Sequence, residues 1–153
     1  MNVTEQDIRE VIYRSCLALD REDFDGFLAL CSPKLHYLVT AYSPEIRKQM
    51  IWMEQDFEGM KALLGMVTQH LRRTGSLHRH VSVYEVERAP KDGVIAALSS
   101  FLITHTELDG RSRLFVVGHY HDRIDVSGAA PLLVERRAHL ETRDLGIGLH
   151  VPI

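Results

Sequence analysis

The second half of the chain alternates between apolar and polar residues, and this pattern restricts the fold more than any other feature of the sequence. Successive side chains of a β-strand point to opposite faces, so the alternation predicts strands. Turn signals separate them, at Asp92-Gly93, Asp109-Gly110 and Ser127-Gly128. Because these connections are short, we expect an antiparallel meander. The four predicted strands span residues 80–88, 94–107, 112–126 and 132–143.

The first half of the chain has the period of a helix. Thr4 and Asp7 are spaced as a capping box, and apolar residues follow at helical spacing up to Leu19. A second short helix is predicted near residues 23–30, and a strand at residues 35–41. Residues 46–71 carry an apolar stripe, which predicts a helix of about seven turns lying across the sheet. A coiled coil is the alternative for this stretch.

Length and patterning together indicate one domain of the α+β class. The chain has 153 residues, the size of one ordinary domain, and no linker or repeat interrupts it. The predicted strand 94–107 is apolar on both sides and therefore needs cover on both faces. We predict a single domain over residues 1–153, in which N-terminal helices cover an antiparallel sheet.

Charge and cysteine content point away from several classes of partner. The formal net charge is −3, which favours neither nucleic acid nor an anionic membrane surface. No stretch of apolar residues is long enough to span a membrane, and the N-terminal residues do not resemble a signal peptide. Cys16 and Cys31 lie in apolar stretches, so we expect buried free thiols and a reducing, cytoplasmic location.

Histidines in the third predicted strand suggest a metal site. His119, His121 and Asp125 would point to one side of that strand, and two imidazoles with a carboxylate suit Zn or Fe(II). A further ligand on another strand is missing from the pattern, so we expect no metal and interpret these residues as polar groups at a sheet face or interface. The chain also has no nucleotide-binding or nucleophile motif, and its two cysteines cannot supply a Rieske cluster, which needs two cysteines and two histidines.

One acid–base arrangement remains open. Asp20 or Asp23 at the end of the first helix, Tyr37 on the early strand, and either His80 or His119 on the sheet would be sufficient for dehydration or isomerisation if they met in one pocket. The alternative is a helix-capping aspartate together with ordinary polar residues.

The last predicted strand and the tail that follows it suggest a subunit interface. Leu132, Val134, Ala138 and Leu140 should share one face of the strand, and charges of both signs should line the other. Aliphatic residues alternate through the tail from Leu145 to Ile153, so the tail should be docked, with a neighbouring subunit favoured over its own core. The predicted interface residues are Glu135, Arg137, His139, Glu141, Arg143, Ile147, Leu149, Val151 and Ile153.

Several local strings, in this order, resemble a known family. They are Ala18-Leu19-Asp20 with residues 24–30, Leu77-His78-Arg79-His80-Val81-Ser82-Val83, Val117-Gly118-His119-Tyr120-His121-Asp122-Arg123, and Glu135-Arg136-Arg137 with Leu140-Glu141-Thr142-Arg143. Together with the order of elements, they are similar to the β (small) subunits of aromatic-ring-hydroxylating, Rieske non-haem iron oxygenases, which have the NTF2-like (cystatin-like) fold.

The resemblance implies a non-catalytic structural subunit. In that family the Rieske cluster and the mononuclear iron belong to a larger α subunit, and the β chains form a trimer beneath an α trimer. The chain departs from the usual pattern around residues 50–60 and in the ending at 146–153. The substrate therefore stays open between an aromatic acid, a hydrocarbon and a sulfonate. The competing function is a free-standing NTF2-like dehydratase, isomerase or cyclase that uses the Asp20, Tyr37 and histidine pocket.

Overall fold

The structure is a computed structural model that describes residues 2–67, 75–146 and 151–153. It contains three helices and six strands within those residues. In chain order they are α1 (Glu5–Asp20), α2 (Phe24–Ala29), β1 (Cys31–Ser43), β2 (Lys48–Asp56), α3 (Phe57–Val67), β3 (Ser76–Val86), β4 (Val94–Thr106), β5 (Ser112–Asp125) and β6 (Leu132–Leu140). None of the helices in these ranges is long and apolar enough to cross a membrane.

The six strands form one sheet in the order β2-β1-β6-β5-β4-β3. The predicted meander is confirmed for β3 to β6, whose neighbours pair antiparallel. The sheet is nevertheless mixed, because β1 pairs parallel with β6. At the turn between β3 and β4, Asp92 and Gly93 have φ values of 53° and 74°, as the predicted Asp-Gly turn requires.

Helix α1 begins where the capping box predicts. The Thr4 hydroxyl accepts a hydrogen bond from the Asp7 amide at 3.2 Å, and the Asp7 carboxylate accepts one from the Thr4 amide at 2.7 Å. Ile8, Ile12 and Leu19 then lie on the buried face of the helix and join a single apolar core with the inner face of the sheet. We call the helix-covered face of the sheet the inner face and the opposite face the outer face.

The long helix predicted over residues 46–71 is wrong in its first half. Residues Lys48–Asp56 form β2, and only Phe57–Val67 is helical, while residues 68–71 lie outside the described part of the chain. Met50 and Met53 pair with Ala41 and Val39 across a register shift that leaves Trp52 as the extra residue. Such a bulge puts residues three apart on the same face, so the strand reproduces the spacing of a helix.

A second register shift changes which residues of β6 face the core. Ala138 and Leu140 are buried as predicted, but the shift between Arg123 and Ile124 of β5 places Leu133, and not Leu132 or Val134, in the core. Glu141 and Arg143 follow the end of β6 at Leu140.

Candidate subunit interface and buried polar cluster

A buried ion pair joins β5 and β6. Asp122 and Arg136 are cross-strand partners on the inner face. Arg136 Nε and Nη2 donate to the two Asp122 carboxylate oxygens at 2.8 and 2.9 Å, and both side chains are fully buried. The Arg136 guanidinium lies 4.2 Å from the centre of the Tyr120 ring, which stacks on Phe101. A fully desolvated arginine needs such partners, because an unpaired buried charge is strongly unfavourable.

A second polar group links α1, β1, β3 and the end of the chain. Arg79 donates through Nη1 to Asp20 at 2.7 Å and through Nη2 to the Pro152 carbonyl at 2.7 Å. The Tyr37 hydroxyl donates to the carbonyl of Ile153. Pro152 and Ile153 are buried, so residues 151–153 dock on their own domain. The tail was expected to favour a neighbouring subunit, but donors on β1 and β3 hold its last carbonyls inside the core.

The ionisable groups of this interior favour their protonated forms. Burial raises the pKa of Tyr37 to about 12, despite the nearby charges of Arg136 and Arg79. Burial likewise raises the pKa of Tyr120 well above its ordinary value and raises that of the Cys16 thiol. Although burial alone would lower the pKa of Arg136, the charge and hydrogen bonds of Asp122 hold it above the usual value. Near neutral pH these groups are therefore protonated, and neither phenol supplies a base.

A cavity of about 220 Å³ adjoins this group, between the end of α1 and the strands β3 and β4. Asp20, Arg79 and the buried His105 contribute to its lining, as does Val151. His105 was missed in the sequence analysis, although its odd-numbered position places it with Phe101 and Ile103 on the inward side of β4. The same alternation places Arg136 on the inward side of β6 with Ala138 and Leu140. It likewise places Asp122 on the inward side of β5, between Tyr120 and Ile124.

The structure does not bring the predicted acid–base residues together. Asp20 and Tyr37 lie on the inner side, where each is already hydrogen bonded. His80 follows the buried Arg79 and is exposed, with its Nε2 3.3 Å from the Thr104 hydroxyl. His119 precedes the buried Tyr120 and lies on the outer face, opposite His139. Neighbouring residues of a strand point to opposite faces, so neither histidine can share a pocket with Asp20 and Tyr37.

The predicted metal ligands are likewise separated. His119 and His121 lie on the outer face, while Asp125 is four residues farther along β5 than His121 and accepts hydrogen bonds from Ser127. Among the described residues, no group of three His, Cys, Asp or Glu side chains could hold a metal ion. Cys16 and Cys31 are free thiols, buried in α1 and at the start of β1. Burial raises the pKa of both thiols.

The outer face carries the predicted interface residues of β6. Glu135 accepts a hydrogen bond from Arg137 at 2.7 Å and lies 3.5 Å from Arg123, and His139 Nδ1 is 3.2 Å from the Thr40 hydroxyl. Glu135, Arg137 and Arg123 line an open groove of about 780 Å³.

The remaining predicted interface residues differ in their placement. Arg143 pairs with Glu45 at 2.7 Å, and Glu141 is exposed. Ile147 and Leu149 lie outside the described residues. Val151 is half-buried and Ile153 is fully buried in its own domain, so Ile153 offers no surface to a partner.

Large apolar side chains are exposed on the same outer face. Ile51, which pairs with Thr40, is 61% exposed, and Leu102, which pairs with His80, is 40% exposed. Tyr42 is 48% exposed and lies two residues beyond Thr40 on β1. Apolar residues beside charges of both signs are typical of a surface that contacts another protein chain.

Comparison with known proteins identifies the family. A SnoaL-like domain matches residues 4–130. The β subunit of the methanesulfonate monooxygenase hydroxylase of Methylosulfonomonas methylovora is 32% identical over 95% of this chain and 85% of its own length. The β subunit of 2-aminobenzenesulfonate 2,3-dioxygenase from an Alcaligenes species is 32% identical over 95% of this chain and 97% of its own length.

A solved structure supports the same assignment at the level of the fold. A chain from Novosphingobium aromaticivorans, assigned as the β subunit of an aromatic-ring-hydroxylating dioxygenase, superposes with a TM-score of 0.81. It covers 97% of this chain and 96% of its own length at 18% identity. The chain described here therefore belongs to the SnoaL-like family, with the NTF2-like α+β fold, and within that family to the β subunits of multi-component oxygenases.

Proposed function

We propose that this chain is the non-catalytic structural small subunit of a Rieske-type oxygenase and supports a separate α subunit that holds the Rieske cluster and the mononuclear iron. The observation that carries this proposal is the match to two oxygenase β subunits over 95% of the chain. The arrangement of polar groups supports it, because the interior of this chain is occupied by ion pairs and by its own residues 152 and 153.

The outer face supplies a contact surface for the α subunit. Its exposed aliphatic residues Ile51 and Leu102 lie on the same face of the sheet as the charged groove of Glu135 and Arg137. Burial of such apolar groups favours association, and charges of both signs restrict the choice and orientation of the partner. We further propose that three copies of the chain form the base of the assembly, in the cytoplasm, where its two thiols stay reduced.

We propose an organosulfonate as the substrate of the assembled enzyme. The two relatives that cover nearly the whole chain are named for methanesulfonate and for 2-aminobenzenesulfonate. The oxidation takes place on the α subunit. The β subunit therefore does not select the substrate, and its similarity to these two relatives indicates only the type of enzyme.

Co-expression with candidate large subunits tests the assembly. Native mass spectrometry should find this chain in a complex with equal numbers of large and small subunits, and iron should be measured in the large subunit. A small subunit that stays separate from every sulfonate-oxygenase large subunit would refute the proposal.

Oxygen consumption tests the substrate class in the same preparation. With electron-transfer proteins supplied, benzenesulfonate or methanesulfonate should increase oxygen uptake, and the matched carboxylates benzoate and acetate should not. A preference for the carboxylates would contradict the sulfonate proposal and leave the assembly proposal standing.

A further inference from the structure

The two edges of the sheet differ in how their main-chain groups are covered. β2 and β3 are the outermost strands, so the outer side of each has no neighbouring strand in the sheet. At β3, Arg9 Nη1 donates to the Val83 carbonyl at 3.0 Å, and the Val83 amide donates to the Tyr13 hydroxyl at 3.4 Å. The Arg79 amide donates to the Asp20 carboxylate at 3.2 Å. Side chains of α1 therefore take the place that a further strand would occupy beside β3.

The edge of β2 is open by comparison. No strand of the described residues pairs with its outer side. β2 has nine residues, of which only Met53 is buried and six are exposed. Unpaired main-chain N–H and C=O groups of an edge strand are a template on which another extended chain can add as a strand. The β2 edge is therefore accessible to a segment from outside the chain.

Large apolar side chains are exposed next to this edge. Ile51 and Trp52 of β2 are exposed, as are Tyr42 of β1 and Ile46 in the turn between the two strands. Trp52 is the extra residue of the bulge. Tryptophan and tyrosine are the residues that most often dominate the binding energy of protein interfaces. The β1–β2 hairpin thus combines an open strand edge with apolar anchors, which is the combination used in recognition by strand addition.

The charges along β2 are separated by sign. Arg47 and Lys48 lie at the beginning of the strand, and Glu54 and Asp56 lie at its end, all of them exposed. A segment that pairs along this edge is favoured when charges of opposite sign lie beside each end. The charge pattern therefore restricts both the composition and the direction of an added strand.

We propose that the β2 edge pairs with an extended segment of the α subunit, apolar in its middle, acidic beside Lys48 and basic beside Glu54. The proposal rests on the proposed function, since it specifies how the α subunit is bound. A second copy of this chain does not suit the edge. Because α1 covers β3, two copies could join only β2 to β2, and such a two-fold contact closes with two chains, whereas the proposed base has three.

Hydrogen exchange in the co-expressed complex tests strand addition. Amides within residues 48–56 should exchange at least about tenfold more slowly in the complex than in the free chain, because a paired edge no longer exposes them to water. Residues 76–86 of β3 are the control, since their edge is already covered, and their exchange should not change.

The outcomes of this measurement separate the two proposals. A complex in which residues 48–56 exchange as in the free chain would overturn strand addition and leave the subunit assignment standing. Failure to form any complex would refute both. Slow exchange of residues 48–56 already in the free chain, together with the mass of a dimer, would show that a second copy occupies the edge and would also overturn the proposal.

Trp52 provides an independent signal, because it is the single tryptophan of the chain. Labelled with 5-fluorotryptophan, the chain should give one ¹⁹F resonance, which should shift when unlabelled α subunit binds. Lys48→Glu should lower the recovery of the complex by about tenfold, since it places a negative charge beside the acidic end of the partner segment. Lys61→Glu, exposed on α3, is the matched control. An unshifted resonance in the complex, or equal recovery of the two variants, would contradict the proposal.

Discussion

At the scale of single residues, the interior depends on two arginines that the sheet geometry encloses. Arg136 is fully buried, and Asp122 supplies both of its charged hydrogen bonds. The low-polarity surroundings strengthen the electrostatic attraction within this pair. They also make the removal of either partner strongly destabilising, because the other charge is then buried without compensation. Arg79 is in the same situation, with Asp20 and a main-chain carbonyl as its partners.

Removing one partner of the buried pair should destabilise the domain strongly. Asp122→Asn leaves the Arg136 charge without compensation, and we expect the free energy of unfolding to fall by about 3–5 kcal/mol in urea denaturation. The double change Asp122→Leu with Arg136→Met should recover most of that loss, because an apolar pair needs no charge compensation. The exposed Arg111→Met is the control. A small effect of Asp122→Asn would show that the pair is dispensable.

The buried phenols should make the domain sensitive to alkaline pH. In the unfolded chain tyrosine ionises near pH 10, whereas Tyr37 in the folded chain has a pKa of about 12. Above about pH 10 the unfolded state therefore binds fewer protons than the folded state, so stability falls as pH rises through this window. Below about pH 10 this contribution is constant.

Denaturation at about pH 9 and about pH 11 measures that contribution. The loss of unfolding free energy between them should be smaller in Tyr37→Phe than in the parent chain, by on the order of 1 kcal/mol. Tyr84→Phe, at an exposed position, is the comparison. An unchanged pH dependence in Tyr37→Phe would contradict the assignment to Tyr37.

At the scale of elements, β5 and β6 approach closely at one position. Gly118 pairs with Leu140, and a Cβ atom built there would lie 2.4 Å from the His139 carbonyl oxygen and 2.8 Å from Phe101. Neither a backbone carbonyl nor a core ring can move away freely. The absence of a side chain at residue 118 therefore allows the two strands to pair in their observed register.

Gly118→Ala should lower the thermal stability of the domain. Overpacking of this kind typically costs about 1–3 kcal/mol, which a melting experiment resolves. Gly128→Ala is the matched control, because a Cβ there would meet nothing within 4 Å. Equal melting temperatures for the two variants would show that the strands can separate to accommodate a methyl group.

At the scale of the whole molecule, the two faces of the sheet have different roles. The inner face is filled by α1, by the buried ion pairs and by residues 152 and 153. The outer face exposes Ile51 and Leu102 and also carries a charged groove. The division places folding stability on one side and, as we propose, association with the α subunit on the other.

A charged substitution on the outer face should weaken association with the α subunit and leave the folding stability of the chain unchanged. Leu102→Lys should reduce the recovery of the complex with the α subunit by at least about tenfold, because burying an unpaired charge opposes association. The melting temperature of the isolated chain should change little, since residue 102 is 40% exposed. Leu108→Lys is the control, because Leu108 lies in a turn and is 84% exposed. Normal assembly of Leu102→Lys would exclude this part of the face from the contact.

Much of the fold follows from the sequence alone. Periodicity and turn chemistry are local properties, so the capping box at Thr4, the Asp92-Gly93 turn and the four strands of the meander were all predictable. The family was predictable too, because its strings recur in order along most of the chain. The candidate site was less predictable, since the acid–base residues were chosen without knowledge of which face each would occupy.

The tertiary structure decided whatever depends on contacts between distant parts of the chain. A bulge opposite Val39 and Thr40 turned a helix-like spacing into the edge strand β2. Pairing of β1 with β6 made the sheet mixed, and the shift beside Arg123 chose Leu133 for the core. Residues 151–153 dock on their own domain because Tyr37 and Arg79, far apart in sequence, both donate to main-chain oxygens of Pro152 and Ile153. Registers, bulges and the partners of buried polar groups arise only when strands meet, so local pattern could not determine them.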